Sequence, residues 1–166
     1  KKYFKLKKEL SLKDEVLYIT AQEHSLPSSM LAMIKYIKTE KNDYKQIVVA
    51  NSENKAECED RLKRYNFSDV TVIGSDNEEY IKALCEAKYI FSDRALEYFF
   101  EIKEGQKYIN LQTDCISAKM AKKREMEYFE FATAQKSIIA SSASVYLNEV
   151  SQNSFEKAYR CEMLPT

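Results

Sequence analysis

The stretch Ala87–Asp114, AKYIFSDRALEYFFEIKEGQKYINLQTD, holds two short apolar runs, and each ends abruptly in small polar residues. Lys88–Phe91 runs into Ser92, Asp93 and Arg94, and Tyr108–Leu111 runs into Gln112, Thr113 and Asp114. Brief apolar runs bounded in this way suit strands buried on both faces. In an open parallel sheet the carboxyl ends of the strands, with the turns that follow, form the crevice where ligands bind. Those two turns are therefore the first candidate site.

Outward from this pair the pattern repeats. Val16–Thr20, Gln46–Ala50 and Val70–Ile73 are further strand candidates. Helices are expected from Pro27 onward, with Met30, Leu31, Met33, Ile34 and Ile37 at three-to-four spacing, from Lys55 to Tyr65, and from Asn77 to Glu86. An aromatic helix Ala95–Ile102 is expected between the two central runs. A longer helix from about Ser117 to Ala134 should lead to a last strand, Ser137–Ala140, and Ser141-Ser142 should open a final helix. Alternation of buried strands with amphipathic helices predicts right-handed crossovers. The expected class is α/β: a Rossmann-like three-layer domain with a mostly parallel sheet of about six strands. Residues 1–14 read as a basic lead-in or linker and 15–166 as the domain.

The same central stretch resembles the amino-terminal domain of the CDP-glycerol glycerophosphotransferase family, teichoic-acid-type enzymes with a two-domain GT-B fold. Ala87-Lys88-Tyr89-Ile90-Phe91-Ser92-Asp93 and Lys103-Glu104-Gly105-Gln106-Lys107-Tyr108-Ile109-Asn110 carry the match. The family continues with Trp-His-Gly, whose histidine the resemblance implies is a catalytic base. Here Gln112, Thr113 and Asp114 stand in those places. The resemblance implies one half of a GT-B fold, acting on the acceptor side in synthesis of a cell-surface polymer such as teichoic acid or capsular polysaccharide. It also implies a nucleotide-activated donor held mainly by a carboxy-terminal domain, and a lipid-linked or glycan acceptor.

Bulk properties narrow the classes. The 166 residues, 45% hydrophobic and 12% aromatic, are one domain's worth and bury roughly two-thirds of the unfolded surface. With 26 Lys+Arg against 26 Asp+Glu no general field gathers phosphate backbones, so nucleic acid is not an expected partner. Cys58, Cys85, Cys115 and Cys161 lie far apart and there is one histidine, which predicts reduced thiols and neither a zinc site nor a disulfide framework. No apolar run is long enough to cross a bilayer and no signal-peptide core opens the chain. The expected location is the cytoplasm. The chain opens without methionine and stops at Met163-Leu164-Pro165-Thr166 after a helical pattern, as a segment of a longer polypeptide would.

Two basic stretches bear on membranes. The first thirteen residues carry six lysines and one acid, and Lys119, Lys122, Lys123 and Arg124 precede Met126, Tyr128, Phe129 and Phe131. Either would suit peripheral contact with the inner face of a membrane, and either equally suits a solvated lead-in or a core-facing helix.

Gly74 and Gly105 are the chain's two glycines, too few for a glycine-rich nucleotide loop. No cofactor is expected, and donor binding by this domain alone should be weak. The catalytic candidates are Asp114, a carboxylate able to accept the acceptor's proton once burial raises its pKa, its neighbour Thr113, and His24 in the loop after the first strand. Substrate contacts are expected from Ser92, Asp93, Arg94 and Gln112 at the two turns, and from Ser141 and Ser142, whose amides and hydroxyls suit an anion. Asp93, Thr113, Asp114 and the two serines equally read as helix caps. A non-catalytic binding module derived from the family is the alternative function. A phosphoacceptor receiver lacks its acidic residues at Thr20-Ala21-Gln22 and its lysine at Leu111-Gln112-Thr113.

Overall fold

A computed structural model describes residues 2–20, 26–40, 43–112 and 127–161. In chain order it contains α1 (Lys2–Glu9), β1 (Lys13–Ile19), α2 (Ser28–Glu40), β2 (Lys45–Ala50), α3 (Lys55–Arg64), β3 (Thr71–Gly74), α4 (Glu78–Glu86), β4 (Ala87–Ser92), β5 (Lys107–Gln112), α5 (Tyr128–Ala140), β6 (Ala143–Tyr146) and α6 (Glu149–Tyr159). The sheet order is β3-β2-β1-β4-β5-β6. The pairs β1/β2, β2/β3 and β5/β6 are parallel, with Leu17 opposite Ile47, Val49 opposite Ile73 and Leu111 opposite Val145. Chain order reverses between β1 and β4, the switch point of a doubly wound sheet. The α/β, largely parallel expectation therefore holds.

The chain divides into two compact units, Lys1–Phe91 with Ile102–Lys107, and Ser92–Glu101 with Tyr108–Thr166. In the first, Val16, Leu17, Tyr18 and Ile19 have no exposure at all, as a central strand covered on both faces requires. Met30, Leu31 and Ile34 of α2 are buried, as are Cys58 and Leu62 of α3 and Tyr80, Ala83, Leu84 and Cys85 of α4. The buried Tyr18 hydroxyl donates to Gln46 Oε1 at 2.7 Å, and Gln46 Nε2 donates to the Ile34 carbonyl at 3.3 Å. The basic opening is a helix instead of a lead-in strand or linker. Tyr3 is buried in it and α1 packs against α4, while Lys2, Lys5 and Lys8 are exposed.

In the second unit, α5 and α6 meet over Ile138, Phe155 and Cys161, with Tyr146 and Tyr159 against them. Asn148 caps α6 by accepting from the Ser151 amide at 2.9 Å.

Three sequence expectations fail here. Ser137–Ala140 is the last turn of α5, and Ser141-Ser142 lead into β6 without opening a helix. Ala134, Ser137 and Ile138 are buried at helical spacing while Ile139 is 57% exposed, a one-sided pattern that a strand buried on both faces does not show. Ala95–Ile102 is irregular. Leu96 and Phe100 are buried, but the Leu96 amide donates to Ser137 Oγ at 2.9 Å and the Tyr98 carbonyl accepts from Lys136 Nζ at 2.6 Å. Lys136 thus takes a carbonyl that a helix would pair internally, while Ser137 takes an amide that a helix beginning at Ala95 would leave unpaired in its first turn. The first half of the expected 117–134 helix lies outside the described residues.

Candidate functional site

The candidate site starts where β4 ends. Ser92 is fully buried, and its Oγ donates to the Arg94 carbonyl at 2.9 Å while accepting from the Arg94 amide at 3.3 Å. This closes a tight turn around Asp93. With no helix following, Asp93 is not a helix cap. The Arg94 guanidinium donates to Glu97 Oε1 at 3.0 Å and to the Ala95 carbonyl at 3.1 Å. Both side chains of this ion pair are about a fifth exposed, 23% and 22%. Arg94 therefore has an internal carboxylate partner, and a ligand phosphate would have to compete with it.

From β5, Tyr108 lies wholly out of solvent. Its hydroxyl is 2.9 Å from Ser137 Oγ, and its ring meets Phe100 edge-on at 6.0 Å between centroids. Burial pushes the phenol up to about 12, against the opposing pull of the Ser137 hydrogen bond. Tyr108 is thus a neutral structural phenol. Farther along β5, Asn110 is buried, and Gln112 Nε2 donates to Asn110 Oδ1 at 2.6 Å. Gln112, in the place of the family motif's tryptophan, is held against its own strand.

Within the first unit, the Lys103–Gln106 motif turns out to be structural. Gln106 Nε2 donates to the carbonyls of Leu84 at 3.0 Å and Ala87 at 2.7 Å, and its Oε1 accepts from the Lys103 amide at 3.2 Å. Lys103 Nζ donates to the carbonyls of Cys85 at 3.0 Å and Leu10 at 2.5 Å. Together they satisfy the Leu84, Cys85 and Ala87 carbonyls, which the end of α4 leaves without intrahelical donors, and the Leu10 carbonyl after α1. Gly105 makes the turn at φ 79°, in the left-handed region open to glycine at little cost. The Lys-x-Gly-Gln spacing is the sequence signal of this structural role.

The remaining expected site residues fall into two groups. His24, Thr113 and Asp114 lie outside the described residues. Ser141 and Ser142 sit at the amino end of β6, opposite the strand end where ligands of open α/β sheets bind. Ser142 ties β6 to β5 there: its amide donates to the Tyr108 carbonyl at 2.7 Å, and its Oγ accepts from the Tyr108 amide at 3.2 Å. Among the described residues no group of three or more His, Cys, Asp or Glu could hold a metal ion. Of the described helices, none is long and apolar enough to cross a membrane.

The family model described as CDP-Glycerol:Poly(glycerophosphate) glycerophosphotransferase matches residues 2–164. In fold the chain is similar to the wall teichoic acid polymerase TagF. A histidine-to-asparagine variant of TagF soaked with CDPG superposes with a TM-score of 0.67 at 14% identity, over 90% of this chain and 36% of that one. A histidine-to-alanine variant gives a TM-score of 0.64 at 14% identity, over 90% and 37%. The chain thus spans little more than a third of the TagF chains it matches. No curated protein matches it by sequence.

Proposed function

Since the chain belongs to the CDP-glycerol:poly(glycerophosphate) glycerophosphotransferase family, we propose that it is the acceptor-side, Rossmann-like half of a GT-B-type transferase in cell-surface polymer synthesis. The family match running from residue 2 to residue 164 carries this reading. An acceptor hydroxyl attacks the phosphorus of a CDP-alcohol donor. A phosphoester bond forms to the acceptor oxygen, the bond to the cytidine monophosphate leaving group breaks, and the hydroxyl proton passes to a base. The donor is held by a second domain. Asp114 or His24 takes the proton, with Thr113 and Asp93 contacting the acceptor.

The acceptor is lipid-linked or a glycan, and the protein meets it at the inner face of a membrane. Tyr128 and Phe129 at the start of α5, 86% and 64% exposed, support such peripheral contact, because aromatic rings beside a basic stretch suit a headgroup layer.

The test is cytidine monophosphate release by the full-length parent protein given CDP-glycerol and a glycerophosphate-primed acceptor. Asp114→Ala or His24→Ala should lower turnover about a hundredfold or more, the scale of a lost general base, with the melting temperature nearly unchanged. Full activity in both variants would refute the assignment of the base.

Gln112, paired with Asn110 where the family has its tryptophan, favours a second reading: a non-catalytic module that binds an acceptor or partner. No release by the parent protein, with acceptor binding intact, would select it.

A further inference from the structure

An open cavity of about 590 Å³ lies within the second unit, among the end of α5, β6 and α6. That volume is in the range of small-molecule pockets, roughly 300–1,000 Å³. Its polar lining is Ser141, Ser142, Ser144, Tyr146, Gln152 and Glu156. Ile138 and Cys161, both buried, supply an apolar side. Among the described residues of the lining Glu156 is the one carboxylate, and none of them is Lys, Arg or His. Among these described residues a phosphate would meet a like charge and no cation, which disfavours anionic ligands.

The hydrogen-bonding groups suit hydroxyls. Ser141 Oγ donates to the Ile138 carbonyl at 2.7 Å and lies 3.4 Å from Ser144 Oγ. Ser142 Oγ accepts from the Tyr108 amide at 3.2 Å. Gln152 Nε2 donates to Glu156 Oε1 at 2.8 Å. Each hydroxyl, amide and carboxylate retains donor or acceptor capacity beyond the bond it makes. Burial pushes the Tyr146 phenol up against the pull of Ser144, so it stays neutral and both donates and accepts. Donors and acceptors thus stand beside a partly apolar wall.

We infer that this cavity binds a neutral polyhydroxylated unit, a sugar ring or an open-chain polyol. Its position at the amino end of β6, opposite the expected reaction crevice, makes it a holding site for a neutral sugar or polyol unit of the acceptor. The inference rests on the transferase reading for the source of the ligand only.

Amide NMR of the 166-residue chain tests it, with methyl glucoside and sorbitol titrated separately and inorganic phosphate as the third probe. At least one neutral probe should produce saturable shifts clustered at residues 141–146 and 152–156. The two arms separate a ring from an open chain. Glu156→Ala should weaken that binding about tenfold or more, and Gln152→Ala serves if the first variant melts early. Absence of saturable shifts with both neutral probes, or shifts with phosphate alone, would overturn the inference. Turnover by the parent protein is measured separately. Turnover without polyol binding defeats the holding site alone, and polyol binding without turnover defeats the transferase reading alone.

Discussion

Gln106 and Tyr108 are two residues apart, yet their side chains do unrelated work. Gln106 supplies donors to the Leu84 and Ala87 carbonyls, so Gln106→Ala leaves both without them. The expected loss is about 2–3 kcal/mol, read as a lower urea midpoint at unchanged slope. Gly105→Ala, at φ 79°, should cost about 1–2 kcal/mol from the left-handed backbone alone. Tyr108 links stability to alkaline pH. Its pKa rises from 10.0 to about 12 on folding because burial disfavours the phenolate, so the folded state holds the proton more tightly than the unfolded chain. The resulting stability is fully present below pH 10.0 and is lost as pH climbs from there through about 12. Ultraviolet titration should show this phenol ionising late, and Tyr108→Phe should flatten the alkaline loss of stability. An unchanged alkaline slope in that variant would contradict the assignment.

At the scale of elements, Ser137 is the joint between α5 and the irregular 95–102 segment. Its hydroxyl accepts from the Leu96 amide and meets the Tyr108 hydroxyl. Ser137→Ala should therefore cost about 2–3 kcal/mol. Combined with Tyr108→Phe it should cost less than the sum, since the two substitutions remove one shared bond. Additive losses in denaturant melts would show that the groups are independent. The cap of α6 is simpler. Asn148→Ala removes the acceptor of the Ser151 amide and should lower stability by about 1 kcal/mol, with a matching drop in melting temperature and no effect on α5.

For the whole molecule, the sheet order reverses between β1 and β4, which puts the expected crevice at the carboxyl ends of the central strands. The chain carries two glycines and no glycine-rich phosphate loop, so CDP-glycerol should bind the isolated chain weakly. Calorimetry returning micromolar affinity would contradict the assignment of the donor to a second domain. Cys58, Cys85 and Cys161 are buried thiols outside any disulfide. Thiol reagents should reach them slowly in the native chain and at once in urea.

Strands such as Val16–Ile19 and Gln46–Ala50 were legible in the sequence because burial on both faces leaves a continuous apolar run. The family was legible because Lys103, Gly105 and Gln106 meet backbone demands that few other residues meet. Tertiary structure decided what local pattern left open. Ser137–Ala140 reads as a strand in isolation and is helical because its stripe packs on one side only. The segment from Ala95 to Ile102 reads as a helix and is irregular, with side chains of α5 bonded to the Leu96 amide and the Tyr98 carbonyl. Arg94 reads as a phosphate ligand and is paired with Glu97. The first two outcomes depend on cross-element partners, which are absent from any local window of residues, whereas Arg94 and Glu97 stand three residues apart and only the fold sets their geometry.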